Sequence, residues 1–234
     1  MSTWAMCSAS AATSLPYPLP TLRPVLARLS LVRHGEVHNP GHICYGDLPG
    51  YGLGPNGRRQ ARAAGAYLAP SGADLLLCSP LLRARETAAI IGRSLGLGPV
   101  ADDRLTEWRL ATRWAGAAWE DLPALFPGEL EAYLSHPADL PFSPESIAAV
   151  AERVVDLVEE LGRSHPGSRA VLVSHQDPIQ AARLRLTGQP LSSLPVDKPG
   201  HGSVLTLEPG TPWSLAARWD PPGPVASFPP ALSR

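Results

Sequence analysis

Three polar groups follow apolar runs of the sequence, and their residue types fit the chemistry of a phosphate ester. The groups are Arg33-His34, Ser79-Pro80 with Arg83 beyond it, and Ser174-His175. A guanidinium binds two phosphate oxygens at once and neutralises their charge, while a neutral imidazole is a nucleophile at physiological pH. Together these side chains could bind a phosphate group and attack its phosphorus.

Each polar group stands at the end of a predicted strand. Short apolar runs at 26–32, 73–78 and 170–173 read as buried strands. Helical spacing follows at 56–68, 81–95 and 177–186. This alternation predicts parallel strands with helices on both faces of the sheet. Ligands of such sheets lie beyond the carboxyl ends of the strands, so we expect the three polar groups to converge on one crevice.

The remaining segments complete the predicted architecture. From 108 to 144 the periodicity weakens and aromatic side chains gather, which predicts an inserted cap. An amphipathic helix is expected at 143–161, with a start signal at Ser143-Pro144. Runs at 203–207 and 215–219 predict two later strands, the last at an edge. The expected fold is α/β: a three-layer αβα sandwich with a mostly parallel central sheet and a small inserted cap.

Length and composition favour one working domain. The chain has 234 residues, of which 44% are hydrophobic, and this suits a single α/β domain with a full core. We expect a flexible N-terminal extension at 1–25, the domain at 26–208 with the cap at 108–144, and a proline-rich tail at 209–234. The net charge is −1 without a run of like charge, so we expect neither nucleic acid nor a membrane surface as a partner.

Cysteine usage and apolar runs indicate the compartment. Cys7, Cys44 and Cys78 lie far apart, without the spacing of a disulfide framework or a zinc site. No apolar run is long enough to span a bilayer, and the start of the sequence lacks the charged beginning and apolar centre of a secretory signal. We expect a cytoplasmic protein with no metal and no cofactor. Its oligomeric state stays open, with a homodimer as one option.

Four motifs of the sequence resemble those of the histidine phosphatase superfamily, in its phosphoglycerate mutase-like branch, and they stand in the family's order. Residues 33–36 read Arg-His-Gly-Glu, and residues 79–88 resemble the family's SPLxRAxxTA segment. Residues 105–107 resemble the segment that supplies the family's acid, and residues 173–175 resemble the strand end that carries its second histidine. The resemblance extends over roughly residues 26–208.

The resemblance implies a role for each matched residue. His34 would attack the phosphorus and form a phosphohistidine, and Glu107 would protonate the leaving oxygen and then activate water. Four further residues would bind the phosphate or stabilise its transition state: Arg33, Arg83, His175 and Gln176, the last through its backbone N–H. Arginine and histidine already supply positive charge there, so the chemistry requires no metal.

Three other positions are weaker candidates. Glu36 could orient neighbouring groups or simply be exposed. Asn39 stands one residue before the position where relatives place an asparagine, which here is Pro40. Gly35 would let the backbone approach the phosphate closely.

The expected activity is that of a metal-independent phosphatase acting on a small phosphorylated metabolite. A phosphoglycerate mutase remains an alternative, although the short spacing between Arg83 and His175 resembles the compact cap of the phosphatases. A non-catalytic phospho-ligand binding protein is the second alternative, and it would be expected to have lost His34, Arg33 or the acid. The cap contains aromatic residues and few cations, which favours a substrate with an apolar, sugar or nucleoside part over a bisphosphate.

Overall fold

The computed structural model describes residues 25–223, which form a six-stranded sheet with helices on both faces. The strands are β1 Arg28–Arg33, β2 Leu75–Cys78, β3 Val100–Ala101, β4 Arg169–Ser174, β5 Val204–Glu208 and β6 Ser214–Trp219. The α-helices are α1 Pro55–Leu68, α2 Leu82–Leu95, α3 Arg109–Arg113, α4 Leu122–Leu125, α5 Glu129–Ser135, α6 Ile147–Ser164 and α7 Gln176–Leu186. Cys7, most of the expected N-terminal extension and the end of the expected tail lie outside the described residues.

The strand order is β3-β2-β4-β1-β5-β6. Strands β1 to β4 run parallel, β5 pairs antiparallel with β1, and β6 pairs antiparallel with β5. The prediction of a mostly parallel central sheet is therefore confirmed. The last strand lies at the edge, as its sequence predicts, and it continues the sheet into the segment assigned to the tail.

The strands alternate their side chains between two layers of helices, as the pleat of a strand requires. Leu29 and Leu31 of β1 pack in a core with the apolar stripes of α6 and α7. Val32 points to the other face, where it shares a core with Ala64 of α1 and Ile91 of α2. The sheet is thus covered on both faces, and the expected αβα sandwich is confirmed.

Two glycines bring α1 close to the end of β1. A Cβ atom on Gly35 would lie 2.4 Å from the carbonyl oxygen of Gly57, and one on Gly57 would lie 2.0 Å from the carbonyl oxygen of Glu36. Both contacts are with backbone atoms, so a side chain at either position would force the two segments apart. Gly35 therefore permits the close packing of α1, and its expected role in the approach of a phosphate stays a prediction.

Two details of the secondary structure differ from expectation. The helix predicted from residue 143 begins instead at Ile147, the first buried residue of its apolar stripe. Ser146, not Ser143, is its N-cap, because its hydroxyl accepts a hydrogen bond of 3.1 Å from the backbone N–H of Ala149. Strand β3 was not predicted, since its two residues are exposed and form no apolar run.

The segment 108–144, which is expected to form a cap, contains the three short helices α3, α4 and α5. Trp108, Trp114 and Leu122 are buried in a third core, which reaches Ile147 of α6 and Leu184 of α7. Most cap aromatics therefore hold the cap on the domain. No helix within residues 25–223 is both long and apolar enough to cross a membrane.

Candidate active site

The carboxyl ends of β1, β2 and β4 meet at one edge of the sheet. The backbone N–H of His34 donates to the carbonyl oxygen of Ser174 at 3.0 Å, and that of Ser79 donates to Val173 at 2.9 Å. The ring centroids of His34 and His175 are 5.1 Å apart. The structure thus brings together three polar groups that are distant in the sequence.

A cavity of about 300 Å³ opens at this edge. Six residues from the sequence-based candidates contribute to its wall: Arg33, His34, Glu36, Asn39, Glu107 and Gln176. Aromatic side chains form another part of the wall: Tyr45, Trp119 and Tyr133. The cavity wall therefore has a cationic end at Arg33, where a phosphate could bind, and aromatic side chains that could contact the remainder of a ligand.

His34 is buried at the end of β1, and its ring is held in one tautomer. Nδ1 lies 2.8 Å from the carbonyl oxygen of Gly35. Because a carbonyl oxygen only accepts, Nδ1 must carry the proton and Nε2 the lone pair. Burial, followed by the charge of Arg83, lowers the pKa of His34 well below its usual 6.5. The ring is neutral at physiological pH, with its lone pair on Nε2.

Arg83 is fully buried in the first turn of α2, beside that nitrogen. Its Nε donates to His34 Nε2 at 3.2 Å, and its Nη2 donates to the carbonyl oxygen of Gly46 at 2.8 Å. The guanidinium carbon also lies 4.8 Å from the ring centroid of Tyr45. A neutral imidazole, a carbonyl and an aromatic ring thus contact Arg83 directly, and a carboxylate oxygen of Glu107 lies farther away, at 3.9 Å from Nη2.

Arg33 is partly buried at the end of β1, directly before His34 in the sequence. Its Nη1 donates to the carbonyl oxygen of Pro199 at 2.9 Å, and its Nη2 lies 2.9 Å from Nε2 of His201. Its Nε has no hydrogen-bond partner among residues 25–223. The guanidinium of Arg33 is therefore held by neutral acceptors.

Glu107 reaches the same place from the loop before the cap. Its Oε1 accepts from the backbone N–H of Trp108 at 2.9 Å, and its Oε2 lies 3.9 Å from Arg83 Nη2 and 3.7 Å from His175 Nδ1. Burial, followed by the negative charge of Asp177, raises the pKa of Glu107 above its usual 4.5, against the opposing charge of Arg83. A raised pKa favours the protonated carboxyl that a general acid needs.

His175 is buried at the end of β4. Its Nε2 lies 2.8 Å from the hydroxyl of Ser79, while its Nδ1 has no hydrogen-bond partner among the described residues. Burial, then the charge of Arg83, lowers the pKa of His175 well below 6.5. The Ser79 hydroxyl fixes the ring plane, and Nδ1 is the ring atom that lies nearest Glu107.

The side chains of Asn39, Glu36 and Gln176 form hydrogen bonds with other parts of the chain. The Asn39 side chain bonds to the backbone of Ile43 through both its amide nitrogen, at 2.9 Å, and its oxygen, at 3.2 Å. Glu36 accepts from Asn56 Nδ2 at 2.5 Å. Gln176 is the first residue of α7, so its backbone N–H belongs to the helix turn whose N–H groups have no intrahelical acceptor. Its side chain donates to Pro199 at 3.1 Å.

Several residues of the site were not singled out by the sequence. His201, Tyr133 and Asp177 line the cavity. Lys198 Nζ lies 2.6 Å from Asp177 Oδ1, and its ammonium lies 4.4 Å from the Tyr133 ring centroid. A histidine just before a predicted strand was the available signal for His201. That signal does not place His201 at the site, because a residue before a strand lies beside the carboxyl end of β1 only when the strand runs antiparallel to β1. Strand β5 does so, but the sequence does not show its direction.

The cysteines among residues 25–223 add no reactive group to the site, and the same residues contain no candidate metal site. Cys44 and Cys78 are buried, and burial raises the pKa of Cys44 to about 12. Burial raises the pKa of Cys78 as well, so both thiols are protonated and unreactive at neutral pH. Within residues 25–223, no group of three or more histidine, cysteine, aspartate or glutamate residues could hold a metal ion.

Comparison with known proteins places this geometry in a family. The model of the histidine phosphatase superfamily (branch 1) matches residues 29–219. Glucosyl-3-phosphoglycerate phosphatase of Mycolicibacterium vanbaalenii is 34% identical over 177 residues, which cover 72% of this chain and 78% of that protein. Phosphoserine phosphatase 1 of Hydrogenobacter thermophilus is 31% identical over 168 residues, covering 71% and 79%.

Solved structures agree with the sequence matches. A mycobacterial glucosyl-3-phosphoglycerate phosphatase in complex with VO3 superposes with a TM-score of 0.73 and 32% sequence identity. The alignment covers 83% of this chain and 99% of that one. The similarity therefore includes the sheet, both helical layers and the cap.

Proposed function

The chain belongs to the histidine phosphatase superfamily and is a phosphomonoester hydrolase; we propose that it hydrolyses small metabolites through a phosphohistidine formed on His34. One observation carries the proposal. The Nδ1–H of His34 is bound to the Gly35 carbonyl, so Nε2 carries the lone pair, and Arg33 and Glu107 line the same cavity. Arg83 Nε donates to this lone pair at 3.2 Å, and a bound phosphate would take over that donor and free Nε2 for attack. Nucleophile, positive charge and acid are thus within reach of one phosphate group.

The first step transfers the phosphoryl group to the enzyme. The lone pair of His34 Nε2 attacks phosphorus, a P–N bond forms, and the P–O bond to the leaving group breaks with its electron pair passing to that oxygen. Glu107 supplies the proton that the leaving oxygen needs. Arg33 and Arg83 balance the charge of the phosphate, and His175 lies where charge develops on the transferring oxygens.

The second step returns the enzyme to its starting state. Glu107, now ionised, removes a proton from a water molecule, whose oxygen attacks phosphorus. The P–N bond breaks, its electron pair returns to Nε2, and inorganic phosphate leaves. Because arginine and histidine supply the positive charge in both steps, we propose that the reaction needs no metal ion.

The cavity wall also suggests the class of substrate. Among its described lining residues, Arg33 is the one lysine or arginine, whereas Glu36 and Asp177 contribute carboxylates. The ammonium of Lys198 is already paired with Asp177. A second phosphate on the leaving group would face carboxylates, so we propose substrates whose leaving group carries hydroxyls or an apolar face. The similar proteins named above include a phosphoserine phosphatase and a glucosyl-3-phosphoglycerate phosphatase.

Phosphate release tests the proposed function. Parent protein and the His34→Ala variant are assayed in EDTA with p-nitrophenyl phosphate, a panel of sugar and amino-acid phosphates, and 2,3-bisphosphoglycerate. We expect release that persists in EDTA, disappears in His34→Ala and is weakest with the bisphosphate. Absence of release by folded parent protein would remove the hydrolase assignment and leave phosphoglycerate mutase transfer or simple phospho-ligand binding. Preference for the bisphosphate would contradict the proposed substrate class.

A further inference from the structure

We propose that His201 is a positioning residue for phosphate binding, which holds the guanidinium of Arg33 at the cationic end of the cavity. The inference rests on the proposed function, because that function gives Arg33 a substrate phosphate to bind. His201 lies just before β5 and lines the cavity, with its ring centroid 5.4 Å from that of His34. It belongs to none of the motifs that the sequence singles out.

Two acceptors from one short segment hold the Arg33 side chain. The Pro199 carbonyl accepts from Nη1, and Nε2 of His201 is 2.9 Å from Nη2. Because a guanidinium only donates, Nε2 is the acceptor and Nδ1 carries the ring proton. The contact therefore fixes both the orientation of Arg33 and the tautomer of His201.

Neutral acceptors suit this position better than a carboxylate would. No carboxylate of the described residues lies within 4.0 Å of the Arg33 guanidinium nitrogens. An acidic partner would cancel the charge of Arg33 and compete with phosphate for it, whereas a carbonyl and a neutral imidazole orient the group and leave its charge for the ligand. Burial, followed by the charges of Arg33 and Arg83, lowers the pKa of His201 well below 6.5, which keeps the ring neutral.

The backbone around His201 is tied to the nucleophile. The N–H of Gly202 donates to the carbonyl oxygens of both Arg33, at 3.1 Å, and His34, at 3.2 Å. The N–H of Arg33 donates in turn to the carbonyl oxygen of Ser203 at 3.1 Å. Gly202 has φ +75°, and a Cβ atom there would lie 2.8 Å from Cβ of Gln60, so the turn requires glycine. The position of the His201 ring is thus set relative to His34.

The edge strand β6 holds this segment from outside. Asp220, just after β6, accepts a hydrogen bond from the Ser203 hydroxyl, and Arg218 Nε donates to the same carboxylate at 2.9 Å. Arg218 Nη2 also donates to the Lys198 carbonyl at 3.3 Å. The segment that carries His201 is therefore fixed on both sides, as a positioning role requires.

A matched pair of variants tests the inference. His201→Leu keeps the bulk of the ring and removes the acceptor, while His201→Gln restores an acceptor near the place of Nε2. Arg33 contacts phosphate in the bound substrate as in the transition state, so losing its orientation weakens both complexes alike. For His201→Leu we expect KM and the inhibition constant of orthophosphate to rise about tenfold, with kcat within about threefold of the parent value.

Two comparisons separate this role from a general loss of structure. His201→Gln is expected to recover both constants to within about threefold of the parent, because the restored acceptor again orients Arg33. In an Arg33→Ala background, His201→Leu should change neither constant further, because His201 acts through Arg33. His165→Ala, at the exposed end of α6, is the control and should match the parent. If His201→Leu does not fold, His201→Ala replaces it in both comparisons.

Two outcomes overturn the inference. One is a His201→Leu variant whose KM and orthophosphate inhibition match the parent, and the other is a loss that adds to that of Arg33→Ala. Orthophosphate binding is also measured directly by calorimetry on all variants. If the parent releases no phosphate from any substrate, the proposed function fails, and the calorimetric dissociation constants alone decide whether His201 orients Arg33.

Discussion

Burial shifts the pKa values of the proposed nucleophile, His34, and the proposed acid, Glu107, in opposite directions. It lowers the pKa of the His34 imidazole, and it raises the pKa of the Glu107 carboxyl. In both cases burial disfavours the charged form, so the histidine keeps a lone pair and the glutamate keeps a proton. One cavity thus prepares two residues for complementary parts of the same reaction.

The acid role of Glu107 predicts a dependence on the leaving group. Glu107→Gln should lower kcat/KM for an alkyl phosphate by about 10² to 10⁴, because the alkoxide leaves without a proton donor. p-Nitrophenolate is a stable anion that departs without a proton, so for p-nitrophenyl phosphate we expect a loss of less than about tenfold. Steady-state kinetics with both substrates measure the difference. Glu120→Gln, exposed in the cap, serves as the control; equal losses with the two substrates would contradict an acid role.

The shifted pKa values also predict the shape of the pH profile. His34 must be neutral, so activity falls as the pH drops through its lowered pKa. Glu107 must be protonated in the first step, so with an alkyl phosphate kcat falls as the pH rises through its raised pKa, above 4.5. When phosphoryl transfer limits the rate, p-nitrophenyl phosphate should lack this basic limb. A basic limb at the same pH with both substrates would argue against Glu107 as its source.

At the scale of elements, helix α6 holds the loop that carries Glu107. Arg153 of α6 donates to the carbonyl oxygens of Arg104 and Glu107, the latter at 3.3 Å, while its Nε donates to Glu145 Oε1 at 2.9 Å. Glu145 in turn accepts from the backbone N–H of Arg109 at 3.3 Å. The acid is therefore positioned by a helix whose sequence shows only an amphipathic stripe.

The hydrogen bonds of Arg153 predict that its loss weakens the acid function of Glu107 and leaves phosphate binding unchanged. Arg153→Met should lower kcat for an alkyl phosphate about tenfold, because Glu107 loses its fixed position, and should leave orthophosphate inhibition unchanged. It should also cost about 1–3 kcal/mol of unfolding free energy, since Glu145 and two carbonyls lose a donor. Steady-state kinetics and urea unfolding measure the two effects. Arg163→Met, which removes an exposed pair with Glu159 on the same helix, is the control; an identical result from both variants would refute the assignment.

The elements were predictable where periodicity and burial agree. Strand β1, helix α2 and helix α7 lie close to their predicted limits, because each has an apolar face that its neighbours bury. The predicted start of α6 at residue 143 is wrong because either Ser143 or Ser146 could cap the helix. Only the packing of Ile147 selects Ser146. Strand β3 forms through pairing with β2 and has no periodic signal of its own.

The sequence predicts those residues of the site that follow the ends of parallel strands, and it does not predict those that tertiary pairing brings in. His34, Arg83 and His175 follow the ends of parallel strands, so the alternation of strands and helices already brings them together. His201 reaches them only because β5 runs antiparallel to β1, and that direction depends on tertiary pairing. Asp177 and Tyr133 join through the folding of the cap onto α7, for which the sequence carries no local pattern.

At the scale of the whole molecule, three buried neutral histidines make stability depend on pH. The pKa values of His34, His175 and His201 are all lowered well below 6.5. Between those values and 6.5 the unfolded chain binds more protons than the folded one, so the unfolding free energy falls as the pH drops below 6.5. Each histidine contributes up to about 1.4 kcal/mol per pH unit to this slope.

Urea unfolding between pH 7 and pH 5 measures this slope, with the range chosen around the ordinary histidine pKa of about 6.5. We expect stability to decrease toward the acid end, and His201→Gln to reduce the slope, because glutamine does not bind the proton that the unfolded histidine does. A slope that is equal in His201→Gln and the parent would show that His201 is not held neutral by the fold.

The phosphohistidine on His34 is the central claim, and trapping it is the most direct test. Glu107→Gln should accumulate the intermediate with p-nitrophenyl phosphate, because departure of nitrophenolate needs no acid whereas attack by water needs the base. Rapid quenching in alkali, followed by peptide mass spectrometry, is predicted to find phosphate on His34, at close to one per chain and lost on acid treatment. A burst of nitrophenolate without phosphate on the protein, or phosphate on another residue, would contradict the account.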